Sequence, residues 1–333
     1  MNRALRRTLA GVTLGVVIYV AAAVWFGVDE IERALATMNL AGLWIALGLS
    51  CVAYGLRFLK WECALAWLSV RQDPLTAPLG RGRSLLIYLA GLSVSVTPGK
   101  LGEVLRSGLL KSNHGVAFTR TAPFVVADRA ADVLALVLFC LFGMGSIEGL
   151  APYVAVAAML TLSGIAVVGH PTLSHATLRL SSRIPGVRNF TPRIEELLES
   201  AKVLLHPARM GVLTVLSLGA WGLECVGYGA VIWGFTGTVP PLSVSLLLWS
   251  ATTLIGALLL TPGGLGATEG SLAVLAPRLI GGLTTSAALA STFVIRAATL
   301  WFGEVVGALA LWLCLRHQTG PAPQPNATFT DTD

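Results

Sequence analysis

The stretch Thr97-Pro98-Gly99-Lys100-Leu101-Gly102-Glu103-Val104-Leu105-Arg106 decides how this chain folds. It follows an apolar run, Leu85-Leu86-Ile87-Tyr88-Leu89-Ala90-Gly91-Leu92. Adjacent Pro and Gly stop a helix there, because Pro has no N–H to donate and Gly frees the backbone. Lys, Glu and Arg come next, although charge at membrane depth is expensive and needs a reason. The same device returns half a chain later as Thr261-Pro262-Gly263-Gly264-Leu265-Gly266-Ala267-Thr268-Glu269. Everything else reads as scaffold for these two breaks.

Composition fixes the environment. Apolar residues make up 55% of the chain and charged residues only 12%, against about 25% charged in a soluble domain. Mean hydropathy is +0.75. These figures exclude a soluble globular fold and leave a polytopic membrane protein. The length accommodates about eight membrane segments of about 20 residues each. The net charge of +6 then reports topology and anionic headgroups rather than nucleic acid. The five cysteines, Cys51, Cys63, Cys140, Cys225 and Cys314, lie in apolar segments without metal-ligand or redox spacing, and read as small fillers.

Outward from the first break, the spans fall into place. Leu9 to Val28 forms the first, with basic flanks and no small-residue cleavage site, so it reads as a retained anchor. The second runs from about Leu40 to Leu59. Arg57 and Lys60, one turn apart at its end, read as snorkelling to the interface beside Trp61; a rival reading turns Arg57 inward to a lipid phosphate. Ser84 to Val96 is apolar but too short to span, so residues 84–110 read as a re-entrant hairpin broken at Pro98. Thr121 to Gly145 follows, carrying Asp128-Arg129-Ala130-Ala131-Asp132. Its two carboxylates share one helix face, and Arg129 lies about 100° round the helix, able to reach a different neighbour. Leu150 to Gly169 completes a first half, residues 1–169.

Residues 170–209 are polar, with apolar residues at helical spacing, and read as amphipathic helices on the cytoplasmic surface. The second half, residues 210–316, repeats the plan. A span from Met210 to Phe235 holds Glu224. A hairpin over 243–280 breaks at Pro262 and carries Glu269. A last span from Ser286 to Leu315 holds Arg296 and Glu304. Residues 317–333 read as a disordered tail.

The expected architecture is therefore all-α: a membrane helix bundle of about six spans plus two re-entrant broken-helix hairpins. Loop charge supports six. With both hairpins re-entrant, loops on the N-terminal side collect Arg3, Arg6, Arg7, Lys60, Arg71, Arg81, Arg83, Lys111, Arg120 and the basic residues of the linker. The other side keeps only Arg33 and Arg278. The positive-inside rule then places both termini in the cytoplasm of a plasma or inner-membrane protein. The hairpins enter from opposite sides, and each precedes a span with an intramembrane Arg, Arg129 or Arg296. That is the pattern of an inverted-repeat transporter, whose half-helix N-termini offer positive ends to an anion.

The candidate site follows. Lys100, Arg106, Arg129 and Arg296 are expected to contact a lipid phosphate. Glu103, Asp128, Asp132 and Glu269 hold those cations or take up protons. Thr97, Pro98, Gly99, Gly102, Thr261, Pro262, Gly263 and Gly266 serve as helix-break devices. No catalytic residue, metal or cofactor is expected, and the partner is a membrane lipid, with a homodimer compatible with such a bundle.

At these residues the chain resembles a known family. Thr97-Pro98-Gly99-Lys100-Leu101-Gly102-Glu103 with Arg106, the Asp128-Arg129-x-x-Asp132 helix, and Pro262-Gly263-Gly264-Leu265-Gly266-Ala267-Thr268-Glu269-Gly270 look like the transmembrane region of lysylphosphatidylglycerol synthases. The resemblance covers about residues 8 to 316. It implies a flippase-like membrane protein that moves a phospholipid, glycolipid or isoprenoid-linked lipid between leaflets. In the full synthases a soluble aminoacyl-transfer domain follows the membrane part, whereas here a short polar tail follows the last span, so the resemblance implies transport without lysine transfer. Two other readings remain at this stage. A lipid head-group transferase would need a nucleophile or base, for which His114 is the nearest His to a motif. A non-transporting scaffold for cell-envelope synthesis would use the charges only structurally.

Overall fold

The computed structural model describes residues 28–74, 76–96, 102–143, 199–259 and 261–316, with scattered positions between 152 and 163. Among these every regular element is helical. The expected spans at Leu9–Val28 and Leu150–Gly169, most of the 170–209 linker and the 317–333 tail lie outside the described residues, as do Thr97, Pro98, Gly99, Lys100 and the side chains of Glu103 and Pro262.

Helix α1, Val28–Thr37, precedes the long α2, Ala41–Trp67. The first hairpin consists of α3, Arg81–Ala90, extended by a 3₁₀ turn over Gly91–Val94, and α4, Gly102–His114. A single turn at Phe118–Thr121 leads through Pro123 into α5, Phe124–Gly143. Residues 199–204 are helical and run into α6, Pro207–Thr236. The second hairpin is α7, Leu242–Leu258, and α8, Ala267–Leu279. The last apolar stretch is one helix in three parts: α9, Thr285–Arg296; a π turn, Ala297–Trp301; and α10, Phe302–Arg316.

Local chemistry sets the ends. Pro207 sits in the first turn of α6, where its missing N–H removes no helix bond. Gly237 closes that helix in the left-handed region (φ 72°), and its N–H reaches the Trp233 carbonyl at 2.8 Å. The Thr284 hydroxyl caps α9 by accepting the Ala287 N–H at 3.2 Å.

Three helices are long and apolar enough to cross a membrane among the described residues: α2, α6 and the continuous Thr285–Arg316. Helix α5 has 20 residues but carries three charges in its first half. The expected end of the second span at Leu59 is corrected: α2 continues to Trp67. Lys60 and Trp61 are therefore inside the helix and fully buried, not at an interface.

The central seam is α2 against α6, built on small residues. A Cβ on Gly42 would lie 2.5 Å from the Ala230 carbonyl oxygen, and one on Gly234 would lie 2.8 Å from that of Asn39. Backbones approach this closely only without side chains, which is how helices associate where apolar burial supplies no drive. Trp44, Val52 and Leu59 of α2 and Val215 and Val226 of α6 point outward as exposed apolar side chains, as suits a surface solvated by lipid. The two hairpins are packed reciprocally. Helix α7 of the second lies against α5, which follows the first; α3 of the first lies against α10, which ends the chain.

Candidate functional site

Two columns of charge meet beside the α2–α6 seam. From α2, Arg57 donates to Glu224 of α6 at 2.6 Å, and its guanidinium lies 4.8 Å from the Trp221 ring centre. One turn on, the Lys60 ammonium donates to Asp132 at 2.8 Å and to the Ser217 hydroxyl at 2.7 Å, and also pairs with Asp128. Ser217 in turn donates to Asp132 at 2.9 Å. A buried lysine survives because two carboxylates and a hydroxyl take the place of its hydration shell.

Arg129 also engages the carboxylates of its own helix: its Nη2 lies 2.8 Å from Asp128 and 3.1 Å from Asp132. Lys60 and Arg129 thus hold the Asp128/Asp132 pair from opposite sides. The long Arg side chain folds back over the turn, as i,i+3 partners do on a helix surface.

An arginine stands beside each hairpin. In the first, Arg106 of α4 donates from Nε to the Tyr88 carbonyl at 3.0 Å and lies 4.1 Å from the centre of the Tyr88 ring. Gly91 makes room for it: a Cβ there would come 2.4 Å from the arginine Nε. The arms touch at Gly102, where an added Cβ would lie 1.9 Å from the Gly91 carbonyl oxygen. Among the described residues no carboxylate pairs with Arg106. In the second hairpin Glu269 of α8 forms an ion pair at 3.0 Å with Arg296 of α9, which lies 5.9 Å from the Trp249 ring centre. Gly263, Gly264 and Gly266 hold φ values of 62°, 74° and 81°, so the break rests on a left-handed backbone that side-chain-bearing residues resist. The arms are tied where Thr268 donates its hydroxyl to the Thr252 carbonyl at 3.2 Å.

A cavity of about 400 Å³ opens between these groups. Both hairpins line it, through Gly91, Gly102 and Arg106 from the first and Gly256, Thr261, Gly263 and Thr268 from the second. Its charged walls are Arg57, Arg106, Arg129 and Arg296 with Asp128, Asp132 and Glu224; Tyr54, Tyr88, Trp221 and Trp249 supply aromatic faces. An aromatic-lined pocket with a few convergent polar groups is the usual form of a small-ligand site, and planar guanidinium forks suit phosphate.

Of the residues expected from sequence, Arg106, Asp128, Arg129, Asp132 and Arg296 come together on this cavity, with Gly102, Thr261 and Gly263 beside them. Glu269 stands behind Arg296 as its counter-ion, and Gly266 is exposed. His114 ends α4, away from the cavity lining. Sequence reading missed Lys60 as the central counter-charge. The signal was present: the apolar run resumes beyond it as Cys63-Ala64-Leu65-Ala66-Trp67, so the helix had no reason to end at Leu59.

A sequence profile for the lysylphosphatidylglycerol synthase transmembrane region matches residues 12–307. The chain belongs to this family. It is also similar to a protein named UPF0104 membrane protein from Methanothermobacter thermautotrophicus, with 25% identity over 325 residues, covering 90% of this chain and 93% of that one. The lysylphosphatidylglycerol synthase transmembrane family match takes in both breaks and all the cavity arginines, and with the long apolar helices it makes the chain a membrane protein.

Proposed function

We propose that the protein moves an anionic lipid between leaflets, holding the headgroup in the cavity between the hairpins, and that it does so as a transporter rather than an enzyme. One observation carries the reading: a cavity walled by both broken helices contains an arginine, Arg106, that rests on a tyrosine face and a backbone carbonyl and has no carboxylate partner among the described residues. A phosphate would complete its hydrogen bonding through a fork of two parallel N–H donors. Acyl chains would stay in the bilayer alongside the apolar outer faces. The two hairpins would act as re-entrant gates in opposite orientations, as in inverted-repeat transporters, with both termini cytoplasmic by the loop-charge asymmetry.

The test uses purified protein in liposomes carrying labelled anionic and neutral phospholipids. Wild type should move the anionic lipid faster than the neutral one. Arg106→Gln should lose about 10- to 100-fold in rate, the worth of a charge-assisted hydrogen bond, while remaining monodisperse. An unchanged rate in Arg106→Gln would overturn the assignment of the site.

A further inference from the structure

One buried acid stands outside the paired columns. Glu304, in the first turn of α10, is buried, and its Oε1 accepts the Val96 backbone N–H at 2.8 Å. Val96 lies just before the first hairpin's break, so a side chain from the last helix holds the end of the hairpin's first arm. The close approach is built in. Glu304 sits within Gly303-Glu304-Val305-Val306-Gly307; a Cβ on Gly307 would lie 2.3 Å from the Ser93 nitrogen, and one on Gly303 would lie 2.5 Å from the Tyr54 hydroxyl. Gly307 lets α10 press backbone to backbone on the hairpin arm, and Gly303 makes room for the Tyr54 side chain of α2.

The other buried carboxylates among the described residues are clamped by cations: Asp128 and Asp132 by Lys60 and Arg129, Glu224 by Arg57, and Glu269 by Arg296. Protonating any of these would break an ion pair. Glu304 has no ion-pair partner among the described residues. The elements against α10 carry few charged or titratable groups, and each is engaged elsewhere or remote. On α3, Tyr88 lies under Arg106, Arg81 is exposed and Arg83 is in the first turn. On α2, Tyr54 donates to the Thr299 carbonyl and Arg57 pairs with Glu224. The 3₁₀ turn and the π turn have none, and Arg316 at the far end of α10 lies over Trp312. The bond from Val96 survives a change of proton count, since the C=O of a carboxylic acid accepts an N–H as a carboxylate does.

We propose that Glu304 is a proton-binding site whose occupancy couples the first hairpin's movement to the pH gradient across the membrane. The proton comes from water on one side and binds the oxygen not engaged by Val96. It leaves to water on the other side when the arm has moved; no other bond is made or broken. Charged, Glu304 is a strong acceptor that holds the arm, since hydrogen bonds to ionised groups are about twice as strong as neutral ones; neutral, it releases the arm more readily. The coupling rests on the transport reading above, whereas the proton site itself does not.

Two measurements test it. Infrared difference spectra of detergent-purified protein across a pH series should show a protonated-carboxyl C=O band that titrates in wild type and is missing in Glu304→Gln. That variant keeps the acceptor for Val96, so it should fold. In liposomes, a gradient of about one pH unit should bias wild-type lipid distribution by up to about tenfold, and Glu304→Gln should move lipid with no response to the gradient. A band unchanged in Glu304→Gln overturns the proton site. Wild-type lipid movement indifferent to the gradient overturns the coupling. A band that titrates and vanishes in the variant, with no lipid moved by wild type, upholds the proton site and counts instead against lipid transport.

Discussion

The two hairpins share a motif but are built differently. Both have a glycine that gives an arginine room: Gly91 beside Arg106, and Gly264, where an added Cβ would lie 3.2 Å from the Arg296 Nη2. Both place that arginine near an aromatic of the first arm, Tyr88 or Trp249. The first carries its arginine on its own second arm, held by a carbonyl and a ring. The second borrows its arginine from the following helix and holds it with Glu269. The matched letters also do different work. Gly102 is a helical residue with no room for a side chain, whereas Gly266 has nothing within 4 Å and is needed for its φ of 81°. Similar sequence here encodes a rigid contact in one half and a backbone bend in the other.

That contrast can be broken from either side. The largest expected effect is Gly102→Ala. Its Cβ would meet backbone rather than a movable side chain, so the arms must separate; overpacking of this kind costs several kcal/mol, read as loss of folded protein in a detergent melt. Next is Arg296→Gln, which leaves Glu269 buried without its cation. The expected destabilisation is about 3 to 5 kcal/mol in a denaturant titration, and Arg106→Gln should be far milder in the same assay because no carboxylate among the described residues is stranded. Equal losses in the two would erase the difference drawn here. The smallest is Gly266→Ala, which strains the backbone by about 1 to 3 kcal/mol without a clash, a modest fall in melting temperature.

Sequence reading reached the all-α membrane helix bundle because its signals are local. Apolar length and Pro-Gly breaks gave α6 within three residues at its start, and the ends of the second hairpin within one. The membership of the site was legible too, because charge in an apolar run is conspicuous: Arg106, Asp128, Arg129, Asp132 and Arg296 all face one cavity. The pairings were not. Lys60 to Asp132 and Arg57 to Glu224 join helices distant in sequence, and a cation near a span's apparent end looks the same whether it snorkels or turns inward. The repeat also misled on one point. Arg129 and Arg296 occupy like positions in the chain, yet the residue that plays Arg296's part beside the first hairpin is Arg106.

The π turn at Ala297–Trp301 has a geometric consequence. In an unbroken α-helix, Arg296 and Glu304 would point about 80° apart; one extra residue in the turn leaves about 20°. The residue that takes up the second hairpin's Glu269 and the one that holds the first hairpin's Val96 are thereby brought onto almost the same azimuth of one rod. Straightening that turn into regular α-helix would leave every contact residue present in the chain and turn one of the two about 100° away from its partner, like a key cut correctly but rotated on its shaft.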